Sequence, residues 1–95
     1  SLSIIANPIY WESRSATPLV TGLAKDEHTP ISAVSYSVDG GPWRLLDAVD
    51  GIYDSRAETF RFALPPIKRR GTHTLDIQAK DGAGNIGIRQ IRFVR

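Results

Sequence analysis

The sequence predicts an all-β domain, an antiparallel β-sandwich of about seven strands, and three observations predict it. Residues 71–85 read G-T-H-T-L-D-I-Q-A-K-D-G-A-G-N, so His73, Leu75, Ile77 and Ala79 alternate with Thr74, Asp76, Gln78 and Lys80. A period of two is the mark of a strand with one buried and one solvated face. Short apolar runs recur along the chain, separated by clusters of Gly, Pro, Asn and Asp at roughly the spacing of sandwich strands. No segment sustains a helical period of useful length.

Taken in order, residues 1–6 carry Leu2, Ile4 and Ile5 and end at Asn7-Pro8, which favours a turn; they form a first, edge strand. Residues 9–17 (I-Y-W-E-S-R-S-A-T) have mixed character, and Pro18 excludes a central strand there. Tyr10 and Trp11 are adjacent, so in an extended chain they face opposite ways and one of them lies outside the core. Residues 19–25 (L-V-T-G-L-A-K) form a central strand, whose small Gly22 and Ala24 suit a bulky side chain from the opposing sheet. After the polar loop 26–30, residues 31–38 place Val34, Tyr36 and Val38 on one face and Ser35 and Ser37 on the other.

Asp39-Gly40-Gly41-Pro42 closes a hairpin, because Asp and Gly accept the positive φ that tight turns need. Residues 43–46 return from it, and Trp43, the largest apolar side chain there, is expected in the core with Leu75 and Ile77. Residues 47–58 are acidic and irregular. Residues 59–64 alternate again, with Phe60 and Phe62 on one side, and stop at Pro65-Pro66. The strand through 73–80 turns at 81–85 and returns through 86–94.

The chain of 95 residues is sized for one domain and buries enough surface for one core without metal or disulfide. Hydrophobic residues make up 41% and charged residues 23%, which argues against disorder. There is no cysteine, so a thiol nucleophile, a disulfide and a Cys-ligated zinc are excluded. There is no methionine either, even at position 1, and the sequence is read as a fragment of a longer protein. No apolar run approaches the roughly 20 residues of a membrane-spanning helix, so membrane insertion is not expected within this segment. The net charge is +2, with Lys68, Arg69 and Arg70 together and Arg89, Arg92 and Arg95 near the end. These read as a solvated turn and an edge strand blunted by charge, and a nucleic-acid partner is not expected.

The stretches T-G-L-A-K-D, I-S-A-V-S-Y-S-V-D-G-G-P-W, F-R-F-A-L-P and G-T-H-T-L-D-I-Q-A-K-D-G-A-G-N together resemble the bacterial immunoglobulin-like domains, which are similar in shape to fibronectin type III modules. The resemblance covers residues 19–93 and is most specific over 36–43 and over 73–85, with its A-x-D-x-A-G-N ending. It implies a seven-stranded immunoglobulin-like sandwich from an exported, multidomain bacterial protein, extracytoplasmic in location. It implies no shared active site, and the lack of a Cys pair separates the chain from antibody domains.

Five groups of residues could carry chemistry. His73 faces inward and reads as a core histidine bonded to a backbone or hydroxyl partner, against the alternative of a general base or metal ligand. His28, in a polar loop, reads as solvated. Asp47, Asp50, Asp54 and Glu58 are hard oxygen donors in an irregular loop and are the candidates for a calcium ion, against the reading of a plain acidic loop. Tyr10 and Trp11, with Trp43 and Tyr53, are the candidates for stacking on a glycan, against packing or an interdomain contact. Asp81 and Asn85 read as turn formers.

There is no G-x-S-x-G elbow and no phosphate-cradling glycine loop, so no catalytic residues and no cofactor are assigned, and an enzyme is not expected. The expected function is a non-catalytic spacer or protein-interaction module, whose partners are neighbouring domains, another protein or a glycan. The alternatives are an accessory module binding carbohydrate or calcium, and the extracytoplasmic part of a sensor.

Overall fold

A computed structural model describes residues 2–11, 17–47 and 55–95. These residues form seven strands: β1 (Leu2–Ala6), β2 (Leu19–Asp26), β3 (Ile31–Val38), β4 (Arg44–Leu46), β5 (Ala57–Ala63), β6 (Thr72–Asp81) and β7 (Ile86–Val94). They make two antiparallel sheets, a three-stranded one in the order β1-β2-β5 and a four-stranded one in the order β4-β3-β6-β7. The result is an all-β sandwich, and its strand order is compatible with the immunoglobulin-like arrangement expected above.

Alternation in the sequence becomes the core. On β6, His73, Leu75, Ile77, Ala79 and Asp81 are buried. On β5, Glu58, Phe60 and Phe62 are buried and their neighbours exposed. Register carries the same faces across each sheet: Leu75 lies opposite Val38 and Ile91, and Phe62 opposite Val20. The two sheets meet through Tyr36 and Phe62, whose rings stack with centroids 4.3 Å apart. Burying a Leu or Phe side chain is worth about 1.5–3 kcal/mol, so this double row of side chains supplies most of the drive to fold.

Two expectations about packing are corrected. Trp43 is not in the core; it is 47% exposed. β3 pairs with β4 through Tyr36–Arg44, Ser35–Leu45 and Val34–Leu46. Arg44 and Leu46 therefore share the inward side of Tyr36 and Val34, and the odd positions turn outward, leaving Leu45 exposed as well. The hairpin keeps its period but starts its return strand one residue later than Trp43.

Gly22 does accommodate a bulky residue, but from its own sheet. It pairs with Phe60 on β5, and a β-carbon at position 22 would collide with the Phe60 ring and the Ile5 carbonyl oxygen. The phenyl ring lies across the backbone of the neighbouring strand, and only glycine leaves room for it.

The first strand begins at the pole where Leu2 pairs with Asp26, and the last strand ends at the opposite pole, where Val94 pairs with Thr72. The domain measures 41 × 23 × 20 Å.

Candidate functional site

Two of the buried polar side chains, His73 and Asp81, lie at the two ends of β6, and each end adjoins a turn. At the far end, Asp81 is buried, and its Oδ1 accepts the backbone N–H groups of Ala83 and Asn85, both at 2.9 Å. Its Oδ2 accepts the Asn85 side-chain N–H, also at 2.9 Å. Gly84 takes a φ of 89°, and its N–H reaches the Asp81 carbonyl at 3.2 Å. The Asn85 side chain above all, then the Asp26 side chain and the neighbouring N–H groups, holds the Asp81 carboxyl down to about 2, against the opposing effect of burial. The D-G-A-G-N run thus makes its own turn out of adjacent residues, as the sequence indicates.

At the near end, His73 is 4% exposed and bonded through both ring nitrogens. Its Nδ1 lies 2.6 Å from Asp39 Oδ2, and its Nε2 lies 2.8 Å from the carbonyl oxygen of Arg69. A carbonyl only accepts and an ionised carboxylate only accepts, so both ring nitrogens carry hydrogen and His73 is an imidazolium. The Asp39 carboxylate, and after it the Arg69 carbonyl, raise the histidine's pKa above its ordinary 6.5 in spite of burial. Asp39 is held below its ordinary 3.8, first by the Thr74 N–H at 2.9 Å and then by the His73 ring.

Asp39 itself sits in the left-handed region at φ 51°, followed by Gly40 at 73°, so it forms the β3–β4 turn and reaches across to β6. Gly41 N–H closes that turn on the Val38 carbonyl at 2.9 Å. The structure places His73 inward, as read from its strand, with a backbone carbonyl among its partners. Its other partner, Asp39, lies 34 residues away, a contact that no local signal announces.

Asp26, also buried, accepts the N–H groups of His28 and Thr29 and shapes the loop after β2. His28 is exposed, 3.9 Å from the Glu27 carboxylate.

The glycan candidates separate. Tyr10 is 69% exposed, whereas Trp11 is half-buried, stacked on Phe93 with ring centroids 6.5 Å apart. The Arg95 guanidinium lies 4.8 Å from the Trp11 ring centroid, a cation–π contact. The Trp11 indole N–H is buried without a hydrogen-bond partner among the described residues.

Of the calcium candidates, Asp47 is exposed, while Glu58 is buried and accepts the Ser55 N–H at 3.3 Å. Asp50 and Asp54, like Tyr53, lie outside the described residues. Among the described residues, no group of three or more His, Asp or Glu side chains is arranged to hold a metal ion. No helix among them is long and apolar enough to cross a membrane.

Compared with models of known protein families and with curated proteins, the chain matches none.

Proposed function

We propose that the chain is a non-catalytic, immunoglobulin-like module of an exported bacterial protein, serving as a spacer or interaction domain. The observation that carries this reading is the use made of the buried polar side chains. Asp26 and Asp81 are occupied by the backbone of their own turns, and His73 is occupied by Asp39 and a carbonyl oxygen. A general base needs a free lone pair directed at a substrate, and a histidine protonated on both nitrogens has none.

Two further features support the reading. The motifs over residues 36–43 and 73–85 resemble those of bacterial immunoglobulin-like domains, which occur in exported multidomain proteins. β1 starts and β7 ends at opposite poles, the arrangement that keeps two neighbours apart.

Placed between two folded proteins and studied by small-angle scattering, the module is expected to hold them apart by about its 41 Å long dimension. A separation that collapses to direct contact between the two flanking proteins would contradict the spacer reading.

A further inference from the structure

The cations of this chain are scattered in sequence but collected in space. Asp39 bonds the Thr74 N–H and the His73 ring, and His73 bonds the Arg69 carbonyl. Arg44 opens β4 just past the Asp39 turn. Thr74 pairs with Arg92 across the ladder, and the Arg95 N–H reaches the Gly71 carbonyl at 3.0 Å. Lys68, Arg69, Arg70, Arg92 and Arg95 therefore gather at one pole, all but Arg95 exposed.

Among the described residues, none of these five is in a salt bridge. Asp39, the acid that forms this pole, is committed to His73, and the next acid along β6, Asp76, is engaged with Gln90. The opposite pole is different: Lys25, Arg56 and Lys80 are interleaved with Asp26, Glu27, Asp47, Glu58 and Asp81. Among the described residues, the charge is thus distributed unevenly between the two poles.

The shape of the basic pole selects its partner. An open depression lined by Ile5, Thr21, Leu23 and Thr59 lies on the outer face of the three-stranded sheet, and another, lined by Lys25, Glu27 and Arg56, lies at the opposite pole. Neither depression is lined by Lys68, Arg69, Arg70, Arg92 or Arg95. The pole is instead the blunt tip of an elongated body, and it exposes Trp43 beside Arg44. A flat anionic surface engages all the cations of such a tip at once, and an indole next to a cation suits the headgroup boundary, where tryptophan concentrates.

We propose that this pole docks the domain end-on against an anionic lipid bilayer, without insertion of the chain. The inference rests on the reading of the chain as a non-catalytic module and names what that module touches.

The test is co-sedimentation with phosphatidylcholine vesicles, with and without about 30 mol% phosphatidylserine, at low and physiological salt. Binding is expected only to the anionic vesicles, and weaker as salt rises. The Lys68→Glu/Arg70→Glu pair is expected to weaken it by about tenfold or more, since each cation near such a surface is worth about a fivefold change in affinity. The Lys25→Glu/Lys80→Glu pair makes the same change in net charge at the opposite pole, and is expected to stay within about twofold.

Circular dichroism melts of both variants confirm folding, which the exposed positions of all four side chains protect. Failure to sediment with the anionic vesicles, equal binding to neutral ones, or equal loss from both pairs would overturn the proposal. So would tighter binding at the same salt to heparin or a single-stranded oligonucleotide, which would make the partner a soluble polyanion. Any of these results leaves the spacer reading standing, because that reading rests on separation and not on lipid.

Discussion

The two ends of β6 solve the same problem in different ways. Each is closed by an aspartate that accepts backbone N–H groups, but Asp81 draws these from residues within four positions of itself, with the distant Asp26 side chain as a further partner, whereas Asp39 depends wholly on residues 34 and 35 positions along the chain. Asp81 is shut inside its turn. Asp39 is partly open to solvent, and its histidine partner is the buried member of the pair. A local turn forms with little loop-closure cost; a turn tied to a distant strand forms only once the sheet has assembled. The Asp81 end should therefore survive perturbations that release the His73 end.

Leu75, between the two ends, should give the largest effect. It is fully buried, and Leu75→Ala is expected to cost about 2–5 kcal/mol from lost transfer and the cavity left behind. Against a typical total of about 5–15 kcal/mol, urea unfolding should show a large fall in the midpoint, and both ends should be lost together. Next is Gly84→Val, which forces a β-branched residue to φ 89° and is expected to cost about 1–2 kcal/mol. Amide exchange should rise around residues 81–85 and remain slow at Thr74. Uniform acceleration would mean that the two turns are one cooperative unit.

The pH dependence separates the ends more finely. His73 has its pKa raised on folding, so its contribution is fully present below the ordinary 6.5 and is lost as pH climbs through the folded value. Asp81 has its pKa lowered, so its contribution is present above the ordinary 3.8 and is lost as pH falls toward about 2. Stability should therefore be greatest between those two ordinary values and decline on either side. Alkaline titration should loosen residues 39–41 and 69–74 alone, whereas acid should loosen 81–85 and, as Asp39 protonates, the near turn as well. His73→Gln should remove the alkaline decline while leaving the acid one.

The smallest effect is expected at Trp43. Its exposure places Trp43→Ala within about 0.5 kcal/mol of the parent, as surface substitutions usually are. A loss of several kcal/mol would show that the His73 end is held by indole packing and not by the imidazolium.

This contrast also explains what the sequence makes legible. The β6 stripe, the Phe60–Phe62 face, the D-G turn and the Asp81–Asn85 turn are all decided by residues within a few positions of one another, and they are readable because period and turn chemistry are local. Trp43 misleads because its burial depends on the register at which β4 joins β3, and the hairpin loop sets that register. Gly22 reads correctly as a glycine facing something large, but sequence alone does not tell a neighbouring strand from an opposing sheet. The Asp39–His73 pair and the collected cations need tertiary structure outright, since each joins segments that lie far apart along the chain.

The measurement that bears most directly on this account is nitrogen NMR of the His73 ring across a pH titration. Both ring nitrogens should stay protonated at pH values where an ordinary histidine has already become neutral, with deprotonation coinciding with loosening of the Asp39 turn. A ring found neutral below the ordinary 6.5, with one nitrogen bare, would contradict the assignment of His73 as a structural cation and reopen it as a base.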